Sequence, residues 1–307
     1  MSISIIVVNY NSSKFIEKLI KSIRLYLVNV NYEIIIVDNC SPERDIEVLE
    51  KNNFDIKFIY LDKNCGFGYA NNRGMEAANF AFFLLLNPDT YLVDYSLIQM
   101  LKEFSKNSEW GIIGPTVRYE DGRIQESALK FPNIRYEVYS MFNVLSPIIR
   151  YSKLLRRKFF CNKEYETDFL FGSCLLIKRE VNELVGGFDE DYFLFAEETD
   201  YCFKVKKETQ YKIIYFPKAR INHVAGAVTK KLPLRRILQG YNSKLIFITK
   251  NYSRLYSFLI RYTIILLFFR KILFQELSRS KKDLRIKEVY LKIISIYKNQ
   301  TPELNEC

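Results

Sequence analysis

A short apolar run that ends in Asn-Pro-Asp constrains the fold of this 307-residue chain more than any other stretch. The run extends from Phe80 to Leu86 and leads directly into Asn87-Pro88-Asp89. An apolar run this short, without a polar face, predicts a strand that is buried on both sides of a sheet. Proline cannot donate a ladder hydrogen bond, so the strand must end there. We therefore expect Asp89 at the carboxyl edge of a central strand, where open α/β sheets bind their ligands.

Strands and helices alternate before and after this run, with short connections between them. The apolar spacing predicts strands over 3–8, 33–37, 56–60, 111–118, 167–177, 211–216 and 220–223. It predicts helices over 15–27, 43–51, 69–79, 96–105 and, for the most part, 191–206. Alternation of this kind is typical of an α/β fold in which a mostly parallel, twisted sheet carries helices on both faces.

Polar tips follow three of the predicted strands, at Asn9-Tyr10-Asn11, Asp38-Asn39 and Asn87-Pro88-Asp89. Because parallel strands end at the same edge of a sheet, these tips should lie together and form a nucleotide crevice. A carboxylate at that edge, such as Asp89, suits a divalent cation. The alternative for Asp89 is a solvated turn residue, since Asn, Pro and Asp are common in turns.

A glycine pair at Gly66 and Gly68 invites comparison with dinucleotide-binding loops. The third glycine of that fingerprint would fall at position 71, which is Asn71. An asparagine there cannot give the close approach of helix and strand that the third glycine provides. The sequence therefore argues against a Rossmann dehydrogenase.

Two further sets of residues could carry chemistry. Glu197, Glu198 and Asp200 occur among aromatic residues, and burial there would raise a carboxylate pKa and make a general base; the alternative is a charged helix turn near the surface. His223 is the only histidine, closes a predicted strand and, if it lies near Asp89, would be a second metal ligand. The alternative for His223 is a structural role.

Charge is distributed very unevenly along the chain. Residues 1–229 carry 29 Lys and Arg against 30 Asp and Glu, whereas residues 230–299 carry 17 against 3. A basic tail of this kind is compatible with a nucleic-acid partner or with an anionic membrane surface. The six cysteines form no CxxC pair, so we expect neither a zinc site nor a disulfide framework, and a reducing cytoplasm is the default compartment.

The C-terminal region predicts three helices, over 233–250, 255–274 and 280–299. The middle one is largely apolar, but its uninterrupted run of 262–269 is too short to span a bilayer. We expect it to lie in the membrane interface, with basic residues towards the lipid head groups. Packing on the body of the protein or in a dimer is the alternative. A basic stretch over 145–165 predicts a mobile loop.

Seven stretches, in order from residue 3 to about residue 228, resemble the family 2 glycosyltransferases with the GT-A fold, in particular the rhamnosyltransferase-like branch. They read SIIVVNYNSS, EIIIVDNCSPE, NCGFGYANNRG, FFLLLNPDT, FGSCLLIKREV, GGFDEDYFLFAEETDYCFK and RINHVAGAV. Each motif is weak alone, but seven in family order make the resemblance specific.

The resemblance implies roles for individual residues. Base and donor contacts are implied for Asn9, Tyr10, Asp38, Asn39, Gly66, Phe67, Asn71, Asn72, Asn87 and Asp89. Asp89 matches the last position of the family's DxD-type element, and Asn87 replaces the first carboxylate of that element. The resemblance therefore leaves Asp89 and His223 to hold Mg²⁺ or Mn²⁺. Glu197-Glu198 stands where the family has Glu-Asp, which makes Glu198 the general base and leaves Asp200 to orient the acceptor or the helix.

The same resemblance implies an inverting transfer from a nucleotide-diphosphate sugar, with dTDP-rhamnose as the first choice and UDP-sugars as alternatives. The acceptor would be a glycan or a lipid-linked sugar in bacterial surface polysaccharide synthesis, for example of lipopolysaccharide or capsule, at the inner face of the cell membrane. We expect a catalytic domain over 1–229, with a donor half of about 1–118 and an acceptor half of about 119–229, and a helical region over 230–307, with a possible homodimer. An inactive nucleotide-sugar-binding protein and a nucleic-acid-binding protein remain as alternatives.

Overall fold

The computed structural model describes residues 2–43, 46–141, 163–224, 233–277 and 284–300. Most of the loop predicted over 145–165 and the expected domain boundary at 229 therefore lie outside the described residues.

Twelve strands are present in the described residues: β1 (Ser2–Asn9), β2 (Asn31–Asp38), β3 (Ile56–Tyr60), β4 (Phe82–Leu86), β5 (Thr90–Leu92), β6 (Trp110–Arg118), β7 (Ile124–Gln125), β8 (Ala128–Leu129), β9 (Tyr165–Glu166), β10 (Phe169–Leu170), β11 (Cys174–Lys178) and β12 (Lys212–His223). The helices are α1 (Ser13–Tyr26), α2 (Ile46–Lys51), α3 (Phe67–Glu76), α4 (Ser96–Lys106), α5 (Ile134–Met141), α6 (Arg179–Val185), α7 (Glu197–Glu208), α8 (Pro233–Asn251), α9 (Arg254–Leu277) and α10 (Leu284–Asn299).

Strand order in the main sheet is β3-β2-β1-β4-β11-β6-β12-β5, with β7 beside β6 and β9 beside β12. β1 is parallel to β2 and to β4, β2 is parallel to β3, and β12 is parallel to β6. β11 is antiparallel to both β4 and β6, so β6 points the same way as β4. The prediction of a mostly parallel α/β sheet is confirmed, and the fold is of the GT-A type.

The central strand occupies the place expected from its apolar run. β4 lies between β1 and β11, and Phe83, Leu84 and Leu85 are at most 1% exposed. Alternate strand residues enter two cores, so that Ile5 packs on the side of α1 and α4 while Ile6 packs on the side of α3 and α7. Helices therefore cover both faces, and the polar residues after each parallel strand are left at one edge.

Three predicted elements differ from the structure. The strand expected over 167–177 is divided at Gly172-Ser173, because β10 pairs with β8 in a separate small sheet while β11 enters the main one. The helix expected over 191–206 begins only at Glu197. The two strands expected after residue 210 are one strand, β12, with an irregular register between Phe216 and Arg220.

The C-terminal helices pack on the body of the protein. Tyr192 of the body shares a core with apolar residues of all three helices, among them Phe247, Phe268 and Tyr297. Arg261 is turned inward, against our expectation that it faces lipid: it is 5% exposed and donates to the carbonyls of Tyr297 and Lys298 at the end of α10. Among the described residues, no helix is both long and apolar enough to cross a bilayer.

Two helical glycines provide a matched test of this packing. A Cβ on Gly74 of α3 would lie 2.4 Å from Cγ2 of Ile6, whereas a Cβ on Gly240 of α8 would lie 3.8 Å from Phe195. We expect Gly74→Ala to lower the free energy of unfolding by about 1–3 kcal/mol through overpacking. Gly240→Ala should raise it by about 0.5–1 kcal/mol through helix propensity. Urea denaturation of both variants checks the pair, and a Gly74→Ala protein as stable as the wild type contradicts the packing described.

Candidate active site

The first part of the site is a pocket edge built by the ends of β1 and β2. Asn9 and Asp38 are register partners, and Asn9 Nδ2 donates to Asp38 Oδ1 at 2.6 Å. Ser41 donates to the same carboxylate twice, from Oγ at 2.6 Å to Oδ1 and from its backbone N–H at 2.9 Å to Oδ2. Asp38 is thus held in one orientation, which suits the reading of a nucleotide base. The sequence analysis missed Ser41, although a serine three residues after an aspartate is a common partner for it.

Asn39 connects this edge to the loop before α3. Its Nδ2 donates to the carbonyl of Gly66 at 3.1 Å, and its Oδ1 accepts from the N–H of Cys65 at 3.2 Å. Tyr10, after β1, is 37% exposed. The amide of Asn39 is therefore already used to shape the loop, so a further contact with a donor stays a prediction, as it does for Tyr10.

The loop before α3 lies directly against the loop that carries the acidic residues. The N–H of Phe67 donates to the carbonyl of Phe193 at 3.0 Å. Gly66 has φ of 96°, and a Cβ there would lie 2.2 Å from the same carbonyl oxygen, so only glycine fits. Two residues further on, a Cβ on Gly68 would lie 3.5 Å from Cβ of Glu197. The expected donor side and the expected catalytic side are thus in contact.

Asn71 and Asn72 of α3 have partners within the protein. Asn72 makes two hydrogen bonds to the backbone of Phe188: its Oδ1 accepts from the N–H of Phe188 at 2.9 Å, and its Nδ2 donates to the carbonyl of Phe188 at 2.9 Å. Asn71 Nδ2 donates to the carbonyl of Phe67 at 2.9 Å. The bonds of Asn72 join α3 to the turn before α7. A role of Asn71 or Asn72 in donor binding stays a prediction.

Two buried carboxylates open α7. Phe195 and Ala196 both have left-handed backbone conformations, with φ of 70° and 68°, and this unusual pair ends the loop so that Glu197 and Glu198 begin the helix. Glu197 is 3% and Glu198 7% exposed, and the Oε2 atom of each has no hydrogen-bond partner among the described residues. Of the two interpretations that the sequence left open, this arrangement agrees with burial and not with a charged helix turn near the surface.

Burial changes the acidity of both groups. It raises the pKa of Glu198 to about 7, with backbone hydrogen bonds, including one from Gly172, acting in the opposite direction. Burial first, and then the charge of Glu198, hold the pKa of Glu197 well above its ordinary value. The pair therefore holds a proton to a higher pH than exposed carboxylates do, and a carboxylate with a raised pKa can act as a general base.

Asp200 contacts the protein rather than an open site. Its Oδ1 accepts from Asn251 Nδ2 at 2.6 Å and from the hydroxyl of Tyr192 at 3.2 Å, and its Oδ2 lies 3.1 Å from Lys204 Nζ. Asn251 is the last residue of α8, so Asp200 ties α7 to the C-terminal helices. Of its two expected roles, these contacts favour orientation of the helix.

Asp89 and His223 are brought together at the sheet edge beyond β4 and β12. His223 Nε2 lies 3.0 Å from Asp89 Oδ1, and both residues are buried. On its other side, His223 Nδ1 lies 2.8 Å from Oε1 of Gln125, so each ring nitrogen of His223 has an oxygen partner. Asn87 lies half-buried two residues before Asp89.

The chemistry of Asp89 and His223 fits a divalent metal. Carboxylate and imidazole suit Mn²⁺, and Mg²⁺ accepts few protein ligands beside substrate phosphates. Asp89 Oδ1 and His223 Nε2 are 3.0 Å apart, so these two residues would be the ones to hold such an ion. In the described part of the chain, no set of three or more His, Cys, Asp or Glu side chains is arranged to hold a metal ion alone.

A family model and a curated relative each match more than half of the chain. The family model described as "Glycosyl transferase family 2" matches residues 4–186. The N-acetylglucosaminyl-diphospho-decaprenol L-rhamnosyltransferase of Mycobacterium tuberculosis is 25% identical over 272 residues, which cover 85% of this chain and 88% of that protein.

Solved structures share the fold at low sequence identity. TarS 1–349 of S. aureus in complex with UDP-GlcNAc has a TM-score of 0.54 at 14% identity, over 96% of this chain and 82% of that one. GalNAc-T7 with UDP, GalNAc and Mn²⁺ has a TM-score of 0.58 at 15% identity, over 98% of this chain and 56% of that one. The chain spans about half of the longer TarS chain.

Gln125 was not singled out from the sequence and offers a test of this site. Metal-binding histidines depend on a partner for their second nitrogen, so we expect Gln125→Ala to weaken Mn²⁺ binding about 10–100-fold. Gln125→Glu keeps an acceptor for Nδ1–H and should restore most of the affinity. The measurement is Mn²⁺ titration followed by electron paramagnetic resonance in the presence of UDP, with the exposed Gln99→Ala as control. Unchanged Mn²⁺ affinity in Gln125→Ala would show that the residue does not position the ring.

Proposed function

The chain belongs to glycosyl transferase family 2, and from this membership we propose that it transfers a sugar, with inversion, from a nucleotide-diphosphate donor to a glycan or lipid-linked acceptor in the synthesis of a cell-surface polysaccharide. The chain is a glycosyltransferase enzyme by family. One observation carries the mechanism: Glu198 is buried in the first turn of α7, and its Oε2 atom has no hydrogen-bond partner among the described residues. This turn lies next to the loop expected to hold the donor.

Donor and acceptor are proposed by analogy with relatives. The rhamnosyltransferase name favours dTDP-rhamnose and a lipid-diphosphate sugar acceptor, while the UDP-bound neighbours keep UDP-sugars as alternatives. Asp38, with Asn9 beside it, would read the base, and the 66–68 loop would lie along the donor. Lipopolysaccharide and capsule are both possible products of such a transfer, and the inner face of the cell membrane is where a lipid-linked acceptor would be met.

Inversion follows from a single displacement. Glu198 removes the proton from the acceptor hydroxyl as its oxygen attacks the anomeric carbon from the face opposite the diphosphate. The bond from the anomeric carbon to the diphosphate oxygen breaks, and the nucleoside diphosphate leaves with the bonding electrons. Asp89 and His223 are the residues that would hold Mg²⁺ or Mn²⁺, which when bound neutralises charge on the departing diphosphate. No protein nucleophile is required.

A donor panel tests the function directly. We expect the protein with Mn²⁺ to release nucleoside diphosphate from one of dTDP-rhamnose, UDP-glucose, UDP-galactose, UDP-N-acetylglucosamine and GDP-mannose, and Asp89→Ala to lose that release. Binding of one nucleotide without release, even when lipid-diphosphate sugars are supplied as acceptors, would favour an inactive binding protein. Neither binding nor release, together with salt-sensitive binding to duplex DNA, would instead favour the nucleic-acid alternative.

Glu198→Gln separates the base from the rest of the site. We expect the variant to lose transfer by about 10²–10⁴-fold while nucleotide affinity stays near that of the wild type. In the wild-type enzyme, transfer should increase as the pH rises through about 7, because the base acts only when ionised and its pKa is raised to about 7. Steady-state rates between acidic and alkaline pH, with nucleotide binding measured alongside, check both expectations.

The control is Glu208→Gln, which removes an exposed carboxylate from the last turn of the same helix. This variant should keep both the rate and the rise with pH. Wild-type turnover in Glu198→Gln would exclude Glu198 as the base, and a rate without dependence on pH near neutrality would contradict the raised pKa.

A further inference from the structure

Helix α9 carries a second apolar face that no part of the described protein covers. One face packs in the C-terminal core through residues such as Ile260, Ile264 and Phe268. The other face, named here the outer face of α9, follows a helical spacing of three and four residues and is between 42% and 71% exposed. It consists of Leu255, Phe258, Leu259, Tyr262, Leu266, Phe269 and Leu273. An isolated exposed leucine is ordinary, but a continuous stripe of seven large apolar side chains marks an interaction surface.

Polar groups that could interrupt the stripe are directed away from it or satisfied. Arg261 is buried and donates to the carbonyl of Tyr297 through Nε at 3.1 Å and Nη2 at 2.7 Å. The hydroxyl of Thr263, next to the stripe, donates to the carbonyl of Leu259 at 2.8 Å. At a rise of 1.5 Å per residue, the stripe from Leu255 to Leu273 is about 27 Å long. It is therefore a long contact surface composed mainly of apolar side chains.

Charge decides between a lipid surface and a second copy of the chain. The region that contains the stripe, residues 230–299, carries 17 Lys and Arg against 3 Asp and Glu. Two copies packed through the outer face would bring two strongly basic regions together, and these would repel each other. An anionic bilayer attracts the same region, because Lys and Arg near its surface interact favourably with negatively charged head groups. Tyrosine rings are also favoured at the level of the head groups, and phenylalanine and leucine on the buried face of an interfacial helix.

We infer that the outer face of α9 lies in the head-group region of an anionic membrane, with the helix parallel to the bilayer. The inward face packs with α8 in the C-terminal core, and α8 contacts the catalytic region: Ser243 Oγ donates to the carbonyl of Leu194 at 2.7 Å, and Asn251 Nδ2 donates to Asp200. Membrane docking would thus fix the height of Glu198 above the lipid, which suits an acceptor anchored in it. This last step rests on the proposed function, whereas the docking itself does not.

Vesicle flotation of the full chain tests the inference. The wild type should float with vesicles of phosphatidylcholine and phosphatidylglycerol, and more weakly with phosphatidylcholine alone. Replacing three exposed residues of the stripe, in the variant Leu266→Glu, Phe269→Glu, Leu273→Glu, should reduce partition by about tenfold or more. The matched control is Leu25→Glu with Leu184→Glu, two leucines that are 56% and 63% exposed on other helices. Circular dichroism verifies that all forms are folded.

Three outcomes would overturn the inference: no flotation of the wild type, equal flotation of the triple variant, or equal loss in the control. Light scattering is an independent measurement of the oligomeric state. If the wild type is a dimer, the triple variant is a monomer and neither floats with vesicles, the outer face of α9 binds a second copy of the chain instead. Nucleotide release from a soluble donor is measured on the same preparations. A failure of the proposed function would abolish that release and leave flotation unchanged, so the two failures are distinguishable.

Discussion

The contact of Gly66 with the carbonyl of Phe193 is the constraint on which the candidate site depends. It joins the loop expected to hold the donor to the loop that leads into the carboxylates, and it leaves no space for a side chain at residue 66. The neighbouring hydrogen bond from Phe67 to Phe193 fixes the two backbones at 3.0 Å. Since both loops are held by main-chain atoms, the separation between donor loop and base does not depend on flexible side chains. A displacement reaction needs this kind of fixed placement.

The buried acidic pair is unfavourable in isolation, and the surrounding structure compensates for it. Two carboxylates with unpartnered oxygens, preceded by two left-handed residues that are not glycine, would destabilise an isolated loop. Here the loop is held from both sides, by α3 through Asn72 and by α8 through Ser243. Strain and burial concentrated at one place, and supported by every neighbour, are typical of catalytic sites.

Sequence patterns predicted the parts of the fold that follow from burial. The apolar runs gave the strands of the sheet, and their polar tips correctly indicated one shared edge with Asn9, Asp38 and Asp89. The start of α7 was wrong because Phe195 and Ala196 give no sequence signal for a left-handed backbone. Gln125 was missed because it lies in a two-residue strand, and only the pairing of β7 with β6 brings it to His223.

The described helices after residue 232 pack against the body of the protein. Asn251 donates to Asp200, and apolar residues of these helices cover Tyr192, which is fully buried, while the expected domain boundary at 229 stays a prediction. The apolar composition of α9 then has a physical explanation. A helix that is apolar on all sides needs two partners. The inner face packs in the protein, and the outer face, in a region that carries 17 Lys and Arg against 3 Asp and Glu, is left for a second partner.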